Sequence, residues 1–280
     1  MYDSTHRGFN PIEVTKIVEH NITSVTADDE IIRKYYRFRP SRFYKGSATA
    51  DTTGCNLRCV YCWSWKANTK MLGDPYTPSE VASKLIKIAS DYGYSVIRIS
   101  GGEPTIAFNH VIQVVKRLNE FLLQRNAMFI LETNGILIGY SKEFAEILSK
   151  YRNVAVRISI KGCSEEMFQK ITGADATFFN LQLNALRNLL DYGIKVWPAI
   201  TISFCDKEGL ARLLTRLAEI DRDIIEKIEF EYFKAYPSAM KRLCRNGLIP
   251  WISVDVDGGK VIKGDEFREL CRRVFEKENH

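Results

Sequence analysis

From Ser47 onward the chain alternates strand-like and helical runs, and that alternation restricts its fold more than any other feature. The strand candidates are Ser47–Asp51, Tyr94–Ser100, Met128–Thr133, Val154–Lys161, Lys195–Ser203 and Ile228–Tyr236. Helical patterns separate them. In the first, Thr77-Pro78-Ser79-Glu80 reads as a capping box with proline at the first helical position. Val81, Leu85 and Ile88 then recur at helical spacing, and Gly93 ends the element. Further helices are predicted at His110–Arg125, Lys142–Tyr151, Leu181–Tyr192 and Lys207–Ile220. Strands and helices in this order predict an α/β fold on a parallel sheet with right-handed crossovers. Periodicity leaves open whether the sheet closes.

Polar and apolar residues also divide between strand faces. Arg157, Ser159 and Lys161 oppose Val156, Ile158 and Ile160; Arg98 and Ser100 oppose Ile97 and Ile99. Thr201 and Ser203 oppose Ile200 and Ile202, and Glu229 and Glu231 oppose Ile228 and Phe230. Helices would cover the apolar faces, so the polar faces should line a lumen where Arg98, Arg157 and Lys161 meet Glu132, Glu229 and Glu231. Buried charges persist only when they are paired with each other or with a ligand. The competing reading places these charges on edge strands facing solvent.

Outside the alternating region, residues 1–46 form an N-terminal extension expected to be helical at Pro11–His20 and Asp28–Tyr36. A C-terminal extension, 237–280, carries a hairpin pattern from Trp251 to Ile262 around Asp257-Gly258-Gly259, then a helix from Asp265 to Glu276. The chain is 45 % hydrophobic and 26 % charged, which suffices for a globular core, and its net charge of +6 does not by itself argue for nucleic-acid binding. No run of about 20 apolar residues is present, and Met1–Asn10 lacks the apolar core of a secretory signal. A cytoplasmic protein without a membrane partner is expected.

The chain has 7 cysteines, an odd number for a disulfide framework, and three of them fall together in Thr53-Gly54-Cys55-Asn56-Leu57-Arg58-Cys59-Val60-Tyr61-Cys62-Trp63. Thiolates so spaced can wrap one compact cluster from a single loop. Iron–sulfur cubanes normally take four thiolates, so three leave one iron open to another ligand. Structural zinc wants four ligands, usually in two pairs. No second pair is visible, because Cys163, Cys205, Cys244 and Cys271 stand apart in the sequence and His110 is alone. Cys205, Cys244 and Cys271 could support a second cluster, but their wide spacing does not resemble auxiliary-cluster patterns and ordinary buried thiols are expected; Cys205, near the lumen mouth, is the one placed for a radical role.

Cys55-x-x-x-Cys59-x-x-Cys62, with an aromatic before the last cysteine, resembles the signature of the radical S-adenosylmethionine superfamily. The resemblance runs over the core region, 47–236, and implies a partial (β/α)6 TIM-like barrel with the cluster loop after the first strand. It implies that Cys55, Cys59 and Cys62 hold a [4Fe–4S] cluster whose free iron is chelated by S-adenosylmethionine, with Tyr61 near the adenine. Ser100-Gly101-Gly102-Glu103-Pro104 resembles the family's Gly-Gly-Glu-Pro segment, so Gly101, Gly102 and Glu103 are expected at the cofactor amino group. Glu132-Thr133-Asn134-Gly135 is similar to the Asp-Thr-Asn-Gly of pyruvate formate-lyase activating enzymes, and Lys161 falls where those enzymes carry the lysine of an Asp-x-Lys motif. Glu132 and Ser159 replace the two aspartates. Thr133, Asn134, Ser159 and Lys161 complete the expected cofactor-binding set.

The implied activity is reductive cleavage of S-adenosylmethionine to a 5′-deoxyadenosyl radical that abstracts hydrogen from substrate. A reductant such as ferredoxin or flavodoxin would supply the electron. Glycyl-radical-enzyme activation is the first substrate reading, from the Thr-Asn-Gly and lysine matches. RNA modification is the second; Trp63 resembles the tryptophan after the same motif in tRNA wybutosine-synthesis enzymes, and Arg33–Lys45 interleaves cations with aromatics. That segment is read first as structural, its rings capping the barrel and its charges in water. Peptide or small-molecule modification is the third. A non-catalytic iron–sulfur or zinc protein is the alternative from another class.

Overall fold

The computed structural model describes residues 8–278. Helix α1 (Pro11–Ile22) leads through strands β1 (Thr23–Val25) and β2 (Ile31–Ser41) to β3 (Ser47–Thr52), α2 (Trp65–Lys70) and β4 (Asp74–Tyr76). The alternating region continues with α3 (Pro78–Tyr92), β5 (Val96–Gly101), α4 (Phe108–Gln124), β6 (Met128–Thr133), α5 (Ile136–Tyr140), α6 (Glu143–Leu148) and β7 (Val154–Ile160). Then come α7 (Glu165–Thr172), α8 (Phe179–Asp191), β8 (Lys195–Thr201), α9 (Lys207–Ile220) and β9 (Glu229–Glu231). The chain ends with β10 (Phe233–Lys234), α10 (Pro237–Arg245), β11 (Ile252–Val254), β12 (Val261–Lys263) and α11 (Gly264–Glu278).

Strands β3, β5, β6, β7, β8 and β9 lie side by side in chain order, every neighbour parallel. On the outer side of β3, β2 pairs antiparallel and carries β1 and β4. The β1 and β9 edges do not pair, so the parallel strands form a partial (β/α)6 barrel open on one side. Helices cover the outer face: Val81 and Leu85 of α3 and Val111, Val114 and Leu118 of α4 pack on Ile97, Ile99, Phe129 and Leu131. Each such residue contributes about 1.5–3 kcal/mol by leaving water. The capping box forms as expected, with the Thr77 amide donating to Glu80 Oε2 at 2.8 Å and the Glu80 amide donating to Thr77 Oγ1 at 3.3 Å.

Several elements differ from expectation. Asp28–Tyr36 is not helical; residues from Ile31 join the long strand β2, because the free side of β3 offers a row of backbone partners that no local pattern reveals. The sixth strand breaks after Glu231, and Phe233–Lys234 turns away to start a three-stranded sheet with the β11–β12 hairpin. Cys163 pairs with Cys205 and Cys244 with Cys271, at Cα separations of 5.6 and 5.3 Å, correcting the expectation of isolated thiols. The first pair joins the C-terminal ends of the adjacent strands β7 and β8; the second joins α10 to α11. No helix among the described residues is long and apolar enough to cross a membrane.

Candidate active site

Cys55, Cys59 and Cys62 are the free cysteines among the described residues, all on the loop after β3. Burial pushes the Cys59 thiol up to about 12 and raises Cys55 and Cys62 as well, with neighbouring thiols adding to the effect at Cys55 and Cys59. Three thiols that burial holds protonated become thiolates only when a cation joins them. No three His, Cys, Asp or Glu side chains among the described residues converge as a single metal ion would need. A multi-iron cluster binds each thiolate through a different iron, so three free cysteines on one loop fit such a cluster.

The loop is held from several sides. The amides of Arg58 and Val60 donate to Thr172 O and Ile171 O at 2.9 Å each. Arg242 of α10 donates to Val60 O at 3.1 Å and to Cys62 O, and its guanidinium stacks 4.8 Å above the Trp65 ring. Asn68 of α2 donates from Nδ2 to Cys62 Sγ at 3.7 Å, while its Oδ1 is buried with no partner among the described residues. That oxygen lies 2.9 Å from where a Cβ on Gly102 would sit, so it borders the Gly-Gly-Glu-Pro segment.

Gly102 is where the two loops touch. A Cβ there would lie 2.1 Å from Gly54 O, so only glycine permits the contact. The Glu103 amide donates to Gly54 O at 2.7 Å. The Glu103 carboxylate is already filled: it accepts from Thr105 N (3.1 Å), Thr105 Oγ1 (2.7 Å), Thr133 Oγ1 (2.6 Å) and Asn134 N (2.7 Å). It therefore ties the ends of β5 and β6 together. Asn134 Nδ2 donates to Asn56 Oδ1 at 2.8 Å, fastening β6 to the cysteine loop. Arg33 of β2, fully buried, donates to Pro104 O, to Glu103 O (2.8 Å) and to Thr53 O (3.4 Å), clamping both loops at once.

The polar strand faces do meet in a lumen. Arg98 donates to Glu132 Oε1 at 2.9 Å, and Ser100 and Tyr44 hydroxyls donate to the same carboxylate at 2.5 and 2.7 Å. Burial opposes ionisation of Glu132, but Arg98 and Arg157 hold it below the usual carboxylate range. Arg157 bridges Glu229 and Glu231 at 2.7 Å each. Closer to the cysteines, Lys161 donates to Ser159 Oγ at 2.9 Å and lies 5.8 Å from the centre of the Tyr61 ring, which stacks on Phe204. Among the described residues Lys161 forms no ion pair. Below the ion pairs, toward the N-terminal strand ends, a largely apolar cavity of about 640 Å³ is lined by Val96, Met128, Ile130, Val196 and Trp197. It is remote from the cysteine loop.

Thus the expected residues gather at one end of the barrel: the cysteines and Tyr61 on one loop, Gly101–Glu103 beside it, Thr133 and Asn134 behind Glu103, and Ser159 with Lys161 across the lumen. His110, set aside in the sequence, is a buried core residue whose ring nitrogens meet Tyr35 OH and Ile31 O; burial lowers its pKa to about 3. Arg33, Asn56, Asn68 and Arg242 were not visible as site residues. Asn56, between the first two cysteines, was the one with a local signal.

This architecture, a half-open parallel barrel with a thiol-bearing loop after its first strand, is that of the radical SAM superfamily. The superfamily's model matches residues 50–206, and the chain belongs to that superfamily. Its members are enzymes that use a [4Fe–4S] cluster and S-adenosylmethionine and need an external reductant. The chain is 27 % identical over 177 residues to a probable GTP 3′,8-cyclase of Thermococcus kodakarensis, a match covering 63 % of this chain and 52 % of that relative, about half its length. Over 258 residues it is 24 % identical to a probable GTP 3′,8-cyclase of Methanococcus aeolicus, covering 84 % and 82 % of the two chains. The fold is shared with a mutant spore photoproduct lyase solved with bound AdoMet and dinucleoside spore photoproduct: TM-score 0.56, 12 % identity, 75 % of this chain and 63 % of that one.

Proposed function

We propose that Cys55, Cys59 and Cys62 ligate the cluster, that Gly101, Gly102, Ser159, Lys161 and Tyr61 line the S-adenosylmethionine site, and that substrate enters at the open C-terminal end of the barrel. The observation that carries this reading is the sorting of the cysteines: four are joined in disulfides and the three of the loop are left free. When bound, the cluster and S-adenosylmethionine supply one-electron cleavage of a carbon–sulfur bond and hydrogen abstraction. The chain's own residues bind, orient and exclude water. Lys161 and Ser159 offer an ammonium and a hydroxyl to a carboxylate, carbonyls near Gly101 and Gly102 offer acceptors to an ammonium, and the ion-paired layer beneath closes the lumen. The electron would come from a protein of the ferredoxin or flavodoxin kind.

For the substrate we infer a nucleotide. Glycyl-radical activation drew its support from Thr133, Asn134 and Lys161, yet Thr133 and Asn134 bond to Glu103 and Asn56, so they serve the cofactor loops and say nothing of a protein substrate. The similarity to GTP 3′,8-cyclases favours a nucleotide over RNA or peptide. Anaerobic reconstitution should give about four irons per chain and, under strong reductant, methionine and 5′-deoxyadenosine from S-adenosylmethionine. The triple Cys55→Ala, Cys59→Ala, Cys62→Ala variant should lose both. A protein that takes up zinc alone, or a triple variant that keeps its iron, would sink the reading.

A further inference from the structure

The cation- and aromatic-rich segment from Arg33 to Lys45 divides in two at a β-bulge. Register with β3 passes from Tyr35 opposite Thr52 directly to Arg37 opposite Asp51, so Tyr36 is the extra residue. Before the bulge, Arg33 and Tyr35 point away from the lumen into buried packing. After it, the alternation is inverted. Phe38 joins the core beside Tyr35 and Tyr76, and Arg37 and Arg39 turn to the lumen face. A bulge is the standard way to re-aim side chains beside a site.

Both guanidinia are held by a single carboxylate oxygen. Arg37 Nε and Arg39 Nε donate to Asp51 Oδ2 at 2.7 and 2.9 Å. The Asp51 side chain is fully buried, and its Oδ1 has no partner among the described residues. The η nitrogens of both arginines have no hydrogen-bond partner there either, while the side chains are 41 % and 24 % exposed. Two cations on one anion leave an excess positive charge and two free N–H forks at the lumen mouth. Trp63, directly after Cys62 and 50 % exposed, lies with its ring 5.2 Å from the Arg37 guanidinium, and Tyr36 meets it edge-on at 6.4 Å. The Tyr36 and Ser64 hydroxyls, 2.8 Å apart, link this patch to the cysteine loop.

We propose that Arg37 and Arg39, preset by Asp51 and by the bulge at Tyr36, are the phosphate-binding subsite for substrate, and that Trp63 is the adjoining platform for its planar base. The inference rests on the nucleotide reading and goes further by assigning residues to each half of the ligand. An exposed indole beside paired guanidinia fits a base joined to phosphate, since arginine forks match phosphate oxygens two at a time and aromatic faces stack on any base.

The test uses the full chain, reconstituted with its cluster and saturated with S-adenosylmethionine, and measures binding of GTP, ATP, inorganic tripolyphosphate and a single-stranded RNA oligonucleotide. Arg37→Gln and Arg39→Gln are made separately, so that Asp51 keeps one guanidinium in each. Iron content and S-adenosylmethionine affinity report on the fold. Each variant should weaken GTP and tripolyphosphate about tenfold or more, the loss expected of charge-assisted hydrogen bonds. Trp63→Leu should weaken GTP but leave tripolyphosphate unchanged. Nucleotide or tripolyphosphate affinity indifferent to both arginines would overturn the subsite, as would absence of binding by every small phosphate. RNA bound tightly, with affinity lost in both arginine variants while GTP does not bind, would overturn the choice of a small nucleotide. Failure to bind iron or cleave S-adenosylmethionine would instead fell the underlying reading.

Discussion

Burying an ammonium group costs several kcal/mol unless a partner repays the lost hydration. Lys161 is in that position, with Ser159 and the Tyr61 ring as its contacts and no ion pair among the described residues. Burial opposes its charge, but Tyr61, Cys59 and Glu231 nearby favour it, and its pKa is raised. The cation is thus available for the carboxylate of S-adenosylmethionine. Lys161→Met keeps the length and removes the charge, so it should weaken cofactor binding by about 1–3 kcal/mol in calorimetry while the fold persists. Equal affinity in the two proteins would mean that Lys161 does not touch the cofactor. Asn68 offers a second residue-scale case. A donor to the Cys62 sulfur stabilises the more negative, reduced state of a cluster held there. Removing one hydrogen bond in Asn68→Leu should therefore lower the reduction potential by roughly 20–60 mV, read by redox titration with magnetic resonance detection. An unchanged or higher potential would show that this amide does not act on the cluster. Lys161 was legible because its strand alternates cleanly. Asn68 was not, since a lone polar residue on a six-residue helix carries no pattern that says which way it faces.

At the scale of elements, what could be read from the sequence was what local chemistry decides. The capping box at Thr77, the glycine end at Gly93 and the alternation of β7 are all written within a few residues. The polar faces of β5, β7, β8 and β9 predicted a charged lumen, and Arg98–Glu132 and Arg157–Glu229 meet there. What could not be read depends on distant partners. Strand β2 has a mixed pattern because its bulge reverses the faces midway, so neither a helical nor a two-residue period fits it throughout. Its role as the antiparallel neighbour of the parallel strands comes from β3, and Arg33 becomes a clamp only once the loops after β3 and β5 lie side by side. The structural reading of this segment holds for the rings of Tyr35 and Phe38, which pack in the core, and fails for Arg33, whose charge is fully buried and not in water. It also fails for Phe43, which is 60 % exposed, and for Arg37 and Arg39, which face the lumen.

On the scale of the whole molecule, the disulfides decide how the cysteine loop is enclosed. The pairing of Cys244 with Cys271 ties α10 to α11, and α10 carries Arg242 onto the carbonyls of Val60 and Cys62. Neither pair could be inferred from spacing, because separations of 42 and 27 residues have meaning only after the strands and helices have packed. Thiol titration of cluster-free protein, denatured without reductant, should find three reactive thiols per chain, matching the free cysteines of the loop. Closing loops of this length restricts the unfolded chain and stabilises by about 3–4 kcal/mol each. Cys244→Ser with Cys271→Ser should then lower the melting temperature by roughly 5–10 °C. It should also make the cluster easier to strip with a chelator, since Arg242 would no longer be anchored against the loop. Seven reactive thiols and an unmoved melting temperature would mean that these cysteines are not bonded, and the sorting of cysteines into paired and cluster-holding sets would lose its basis.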